Sequence, residues 1–357
     1  MIAGWMLLLL GALIGGSFAV PGKRLKIMSW DGAWLIFCVV GLILVPCLLG
    51  LVFATPIFGS VFPQHLRLVA TVVAAGALWG CGALMFGASL PRLGIALANA
   101  IVNGAVALVG SLGPLLARGE SLETNDLTML LLGLLFVTAS LAALCWAALL
   151  RDRGISQQPE GSAAPGPIGV LLALAAGCLS SILNIGFVYG KPLVQHSIKQ
   201  GLDESAATLA VWIPLLAGGF ITNAIGTNVR LARAGEYARL ASSPVSDWIR
   251  AGAMGLFWSS AILIYGLSTR LLGKGGEIYG WAALSGAGIL VSTLWGLWLG
   301  EWTSAARRAR LWLFAGLGLM LLALVLLSAG KGNPAKSSPG ERSHIPACSG
   351  QTSLALV

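Results

Sequence analysis

The chain has 357 residues, of which 57% are hydrophobic and 10% charged, with a mean hydropathy of +0.87 and a formal net charge of +9. A soluble domain carries about 25% charged residues, so this composition excludes a cytosolic enzyme, a nucleic-acid-binding protein and a disordered chain. Six cysteines without a CxxC pair exclude a disulfide-stapled domain, which leaves a polytopic membrane protein whose basic excess marks cytoplasmic loops.

A helix needs about 20 apolar residues to span a bilayer. Charge, proline and polar clusters mark off ten such stretches: α1 at 2–21, α2 at 33–54, α3 at 68–89, α4 at 94–116, α5 at 127–150, α6 at 168–189, α7 at 207–229, α8 at 251–270, α9 at 278–300 and α10 at 310–330. The stretches are too long and too continuously apolar for barrel strands. The first is read as a retained span, because Lys23, Arg24 and Lys26 follow the apolar run, whereas a signal peptide carries its charge in front. Cys38, Cys47, Cys81, Cys145 and Cys178 lie inside apolar stretches and read as small packing residues. Many of the 48 glycines also fall there, where small residues let helix backbones approach.

The loops after odd-numbered helices hold 13 Lys and Arg and those after even-numbered helices hold 6, which predicts that both termini lie outside the cytoplasm. The organisation expected is a five-helix unit at 1–150, a polar cytoplasmic linker at 151–167, a second five-helix unit at 168–330 and a disordered tail at 331–357. The units carry a weak repeat. Trp79, Gly87 and Gly94 have the same spacings as Trp258, Gly266 and Gly273, and Glu120 and Glu301 follow. Lys23 and Lys191 close α1 and α6 in corresponding places. Five is odd, so the second unit must be inverted, an arrangement that recurs in secondary transporters with the substrate between the halves.

No acidic residue occupies a span centre, and His65, His196 and His344 fall in loops or the tail. That argues against a buried carboxylate relay and against a metal site. With no P-loop, HExxH or GxSxG, no catalytic set is expected and no cofactor is implied. The spans instead hold amides, hydroxyls and aromatics. Asn99, Asn103, Asn184, Asn223, Tyr265, Trp79 and Trp258 are expected to line a substrate cavity between the halves. Amides hydrogen-bond hydroxyls and aromatic faces cover C–H surfaces, which suits a neutral sugar. Each Asn or Ser could equally serve only to link helices. Lys23 and Lys191 could simply snorkel to the interface. Glu277 either caps α9 against the helix dipole or titrates a proton beside Tyr279 and Trp281.

Phe18-Ala-Val-Pro-Gly-Lys23, Trp30-Asp31 with Trp34, and Gly76-Ala-Leu-Trp-Gly80 with Gly87 resemble the L-rhamnose–proton symporter family of the drug/metabolite transporter superfamily. The turn Gly190-Lys191-Pro192, the segment from Asn223 to Arg233, and Glu301-Trp302 follow in the family's order, so the resemblance covers all ten helices. It implies two inverted five-helix repeats and inward symport of a deoxyhexose with protons across a bacterial inner membrane. Glu277 stands where the family has an acidic residue. The chain departs in having fewer polar residues in α3 and α9. The readings that compete are carriage of another small metabolite, a non-transporting scaffold or sensor, and a membrane-embedded enzyme.

Overall fold

The computed structural model describes residues 2–118, 122–155, 167–273 and 276–330. Among these, ten helical segments are long and apolar enough to cross a membrane: α1 Ile2–Arg24, α2 Trp30–Phe53, α3 Leu66–Leu90, α4 Leu97–Leu116, α5 Thr124–Arg151, α6 Pro167–Lys199, α7 Glu204–Ala234, α8 Val245–Leu272, α9 Gly276–Trp298 and α10 Arg307–Ala329. No strand occurs among the described residues. Most of the linker (156–166), Glu120 and the tail (331–357) lie outside them.

Two segments differ from the sequence expectation. Helical backbone runs unbroken from Leu66 to Arg118, yet Gly82 abuts Ala176 and Ser180 while Gly177 abuts Val102 and Ala105. Twenty residues of straight helix would separate those contacts by about 30 Å. The chain therefore doubles back between α3 and α4, and both arms pack along α6. The other difference is at Gly190, where α6 breaks after Tyr189 and resumes from Lys191 to Lys199. Pro192 sits in the first turn of the resumed helix, where its missing N–H costs nothing.

Small residues set the crossings. Gly76 of α3 lies against the Leu215 carbonyl of α7, and Gly218 of α7 lies against the Val73 carbonyl of α3, so a Cβ at either would collide with backbone. Gly41 of α2 and Gly255 of α8 meet backbone to backbone, next to a π-helical stretch at Val39–Leu44. Gly11 and Gly15 of α1 pack on Ala261 of α8. Ser140 of α5 donates to the Gly316 carbonyl of α10 at 2.6 Å. Leucines such as Leu9, Leu13, Leu48, Leu51, Leu135, Leu311 and Leu321 point outward, as the lipid-facing side of a bundle requires. α7 stops at Gly235, whose φ of +67° supplies the left-handed cap.

Candidate functional site

The loops gather at two ends as the charge count anticipates. At the basic end, Lys23 pairs with Glu301, and Arg151 lies 3.9 Å from the same carboxylate. Arg230 of α7 meets Asp31 of α2 at 2.8 Å. Asp247, buried in the first turn of α8, accepts the backbone N–H groups of Lys26, Ile27 and Met28 at 2.9–3.1 Å on one oxygen. Its other oxygen accepts from Arg250 at 2.9 Å. This carboxylate stitches the α1–α2 loop to α8.

The opposite end is sealed by a buried network. The Asn184 amide of α6 donates to the carbonyls of Gly110 on α4, at 2.8 Å, and Glu277 on α9, at 3.0 Å. Its oxygen accepts from the Tyr265 hydroxyl of α8 at 2.7 Å. The Glu277 side chain is also enclosed, at 2% residue exposure, and pairs with Lys191. Phe187 and Trp212 stack at 4.4 Å, and Trp281 meets Tyr265 edge-on at 5.3 Å. The Nε1 atoms of Trp212 and Trp281 are buried without a hydrogen-bond partner among the described residues. Tyr279 donates to the Asp126 carbonyl at 2.8 Å. At the mouth of α7, the Ser205 N–H donates to Asp203 at 2.7 Å, which holds that carboxyl below the usual carboxylate range.

Between the ends lies an aromatic ladder. Trp79 and Trp258, the pair matched by the repeat, stack on each other at 5.4 Å and 17°. Phe37 meets Trp258 edge-on and stacks on Trp34. The Trp34 indole donates to Asn223 at 3.3 Å, and the Asn223 amide donates to the Gly219 carbonyl at 2.9 Å. The matched glycines differ in their surroundings: Gly266 presses on Trp212, whereas nothing approaches Gly87.

Asn99 and Asn103 lie elsewhere. They line a cavity of about 340 Å³ enclosed by α4, α5, α9 and α10, together with Arg151, Ser292, Thr293 and Trp302. The Asn103 amide donates to the Asn99 carbonyl one turn back, at 2.9 Å. The Arg151 guanidinium sits 4.8 Å over the Trp302 ring, so the charged cluster at Glu301 borders the cavity.

The residues expected to line one cavity are distributed over three places in this structure. Asn99 and Asn103 line a space between the halves, but Asn184 and Tyr265 are fully buried in the seal, and Asn223 belongs to the aromatic ladder. An amide with several helix carbonyls or indoles in reach bonds to them rather than to a void. Tyr279 and Trp281 fall within the seal, beside Glu277. Sequence reasoning passed over Asp247, Arg151, Trp302, Ser292 and Thr293. The two hydroxyls were the accessible signal, because α9 reads as apolar yet carries adjacent Ser and Thr in its second half.

The L-rhamnose-proton symport protein (RhaT) family model matches residues 1–332. Similar proteins include an L-rhamnose-proton symporter of Klebsiella pneumoniae (strain 342), 23% identical over 331 residues that cover 90% of this chain and 96% of the relative. Proteins of the same name from Citrobacter koseri and Escherichia coli (strain 55989 / EAEC) are 23% identical over 333 and 334 residues, again with 96% of each relative covered. Ten apolar helices and bacterial relatives of matching extent make this a multi-pass protein of the inner membrane. A match along nearly the whole length, through all ten spans and both ends of the bundle, places the chain in the L-rhamnose-proton symport protein family.

Proposed function

We propose that this chain is a secondary transporter that takes up a neutral deoxyhexose of the L-rhamnose type together with a proton. The carrying observation is the cavity between α4–α5 and α9–α10. At about 340 Å³ it falls at the small end of ligand pockets, roughly 300–1,000 Å³, which suits one sugar. Its two amides, two hydroxyls and an indole flanked by a guanidinium offer the donors, acceptors and flat apolar surface that a pyranose needs. Trp79 and Trp258, stacked at mid-depth, supply a second aromatic surface on the route. The unpaired indole N–H groups of Trp212 and Trp281 supply donors for sugar oxygens if the sealed end opens.

The positive-inside bias favours a cytoplasmic basic end, so the cavity faces the cytoplasm and the seal faces outward. Two inverted five-helix units, 1–150 and 168–330, account for the contact pattern. Exchanging the halves maps α6 against α3–α4 onto α1 against α8–α9, α3 against α7 onto α8 against α2, and α5–α10 onto itself.

Coupling falls to Glu277. Its carboxylate is buried and has the Lys191 ammonium beside it. An ionised carboxylate in such a place is tolerable only with a counter-charge. Lysine and proton are alternative counter-charges for one group. Opening of the outer end parts the pair and loads a proton from outside. After inward release of the sugar Lys191 pairs with Glu277 again, and the displaced proton leaves on the cytoplasmic side. Counterflow of labelled L-rhamnose, L-fucose, D-glucose and an amino acid in proteoliposomes tests the substrate, with L-rhamnose expected to exchange fastest. Glu277→Gln should keep counterflow and lose uphill accumulation. Accumulation by Glu277→Gln would remove Glu277 from coupling, and absence of sugar counterflow would remove the sugar.

A further inference from the structure

Lys23 lies at the end of α1 and Lys191 just past the break in α6, the first helix of each half, and both are ion-paired. Lys23 takes Glu301, just past the end of α9, but Lys191 takes Glu277, in the first turn of the same α9. Both carboxylates thus lie on one segment: the chain turns back after Trp298 so that the Glu301 carboxylate abuts Gly296, about 29 Å from Glu277 along a helix of 1.5 Å rise per residue. That distance is close to the hydrocarbon thickness of a bilayer, about 30 Å.

We infer that α9 is the element that rocks, and that Lys23–Glu301 and Lys191–Glu277, both formed in this structure, are opposing latches of which one must open to give access from its side. The inference rests on the reading of this chain as an alternating-access carrier and adds the positioning residues that bias it. α9 runs from the seal past the cavity to the basic end. Its first turn carries the Glu277 carbonyl that receives Asn184, its second half carries Ser292 and Thr293 of the cavity, and its end leads to Trp302 under Arg151. Movement of the Glu301 end carries the rim of the cavity with it, because Glu301 is shared by Lys23 and Arg151.

The latches are unequal. In the basic-end pair both side chains are half-exposed, at 44% and 38%. A pair of this kind contributes little, so its loss shifts an equilibrium by a few-fold. In the other pair the glutamate side chain is 3% exposed against 40% for the lysine. Removal of Lys191 strands a buried carboxylate and shifts the balance further. Weak latches suit a carrier, since a strongly favoured end would trap it.

The test uses full-length protein in nanodiscs, with the native cysteines replaced and one reporter at a time: Ser292→Cys in the basic-end cavity or Ser111→Cys, whose parent hydroxyl is buried in α4 toward the sealed end. Labelling rates with a membrane-impermeant maleimide need no sugar, so the result stands apart from the substrate assay. Lys23→Gln should speed labelling at Ser292→Cys about fivefold and slow it at Ser111→Cys. Lys191→Gln should do the reverse, by a larger factor. Glu301→Gln should reproduce Lys23→Gln, and Glu277→Gln provides the second arm if Lys191→Gln does not fold. Shifts in the same direction at both reporters, or unchanged rates in monodisperse protein, would overturn the inference.

Discussion

Asn184 and Asn103 are the same residue type on membrane-spanning helices, and the fold uses them in opposite ways. Asn184 meets two helix carbonyls and a tyrosine hydroxyl, and so bolts α4, α6, α8 and α9 together with no surface exposed. Asn103 bonds one turn back along its own helix and turns toward a cavity. Burial in protein makes the first amide a structural part. The presence of a void makes the second available to a ligand. An intramembrane amide thus takes its role from how many backbone acceptors its neighbours bring within reach.

The comparison breaks first if the cavity end is simply the looser end. Asp247 argues against that, because its buried carboxylate collects three N–H groups and Arg250 at the basic end. Asp247→Ala leaves the arginine and three amides without their acceptor, and should cost about 3–5 kcal/mol. Thermal unfolding in detergent, followed by size exclusion, should show the largest loss of this series. A smaller cost follows at the sealed end. Asn184→Leu removes its donors from the Gly110 and Glu277 carbonyls and leaves the Tyr265 hydroxyl only the Glu277 carbonyl at 3.4 Å, for about 2–3 kcal/mol. If Asn184→Leu is as stable as the parent, the network is not a seal.

The ten spans and the family were legible in the sequence, because apolar length and motif order are local properties. Other features were not. The partner of Lys191 is decided by how α9 packs, which brings Glu277 beside it. Asp247 reads as an ordinary first-turn carboxylate beside Arg250 until the α1–α2 loop is laid across it. Arg151 and Trp302 read as a loop charge and a loop aromatic, and become cavity walls only because α5 and the α9–α10 turn converge. Pro91 and Gly94 mark the boundary between α3 and α4 in the sequence, but do not show that helical backbone continues through it.

Tyr265→Phe sharpens the seal by a smaller step. One hydroxyl is lost while the ring stays against Phe187, Trp212 and Trp281. The Asn184 oxygen then loses its donor, a cost of about 1 kcal/mol. Counterflow at saturating sugar should be little changed, since the hydroxyl faces Asn184 rather than the cavity. A large rise in KM with unchanged stability would instead make Tyr265 a ligand-binding residue and merge the two regions.

The smallest expected effect on stability carries the most weight for function. Asn103→Leu removes one hydrogen bond to the carbonyl of its own preceding turn and presents an apolar side chain to a half-polar cavity. Loss of that bond and gain of apolar contact should nearly cancel, leaving stability within about 0.5 kcal/mol of the parent. Transport should not be spared. An amide that hydrogen-bonds a sugar hydroxyl leaves that hydroxyl unpaired when replaced by leucine, a loss of roughly 1.5 kcal/mol or about tenfold in KM for counterflow. Asn103→Gln, with the same groups on a longer arm, should recover part of it. The paired measurement is decisive because the two regions predict opposite patterns: stability lost with transport KM retained at Tyr265, KM raised with stability retained at Asn103. Equal losses of both at both positions would mean that the cavity is a packing defect and that the sugar binds elsewhere along the Trp79–Trp258 ladder.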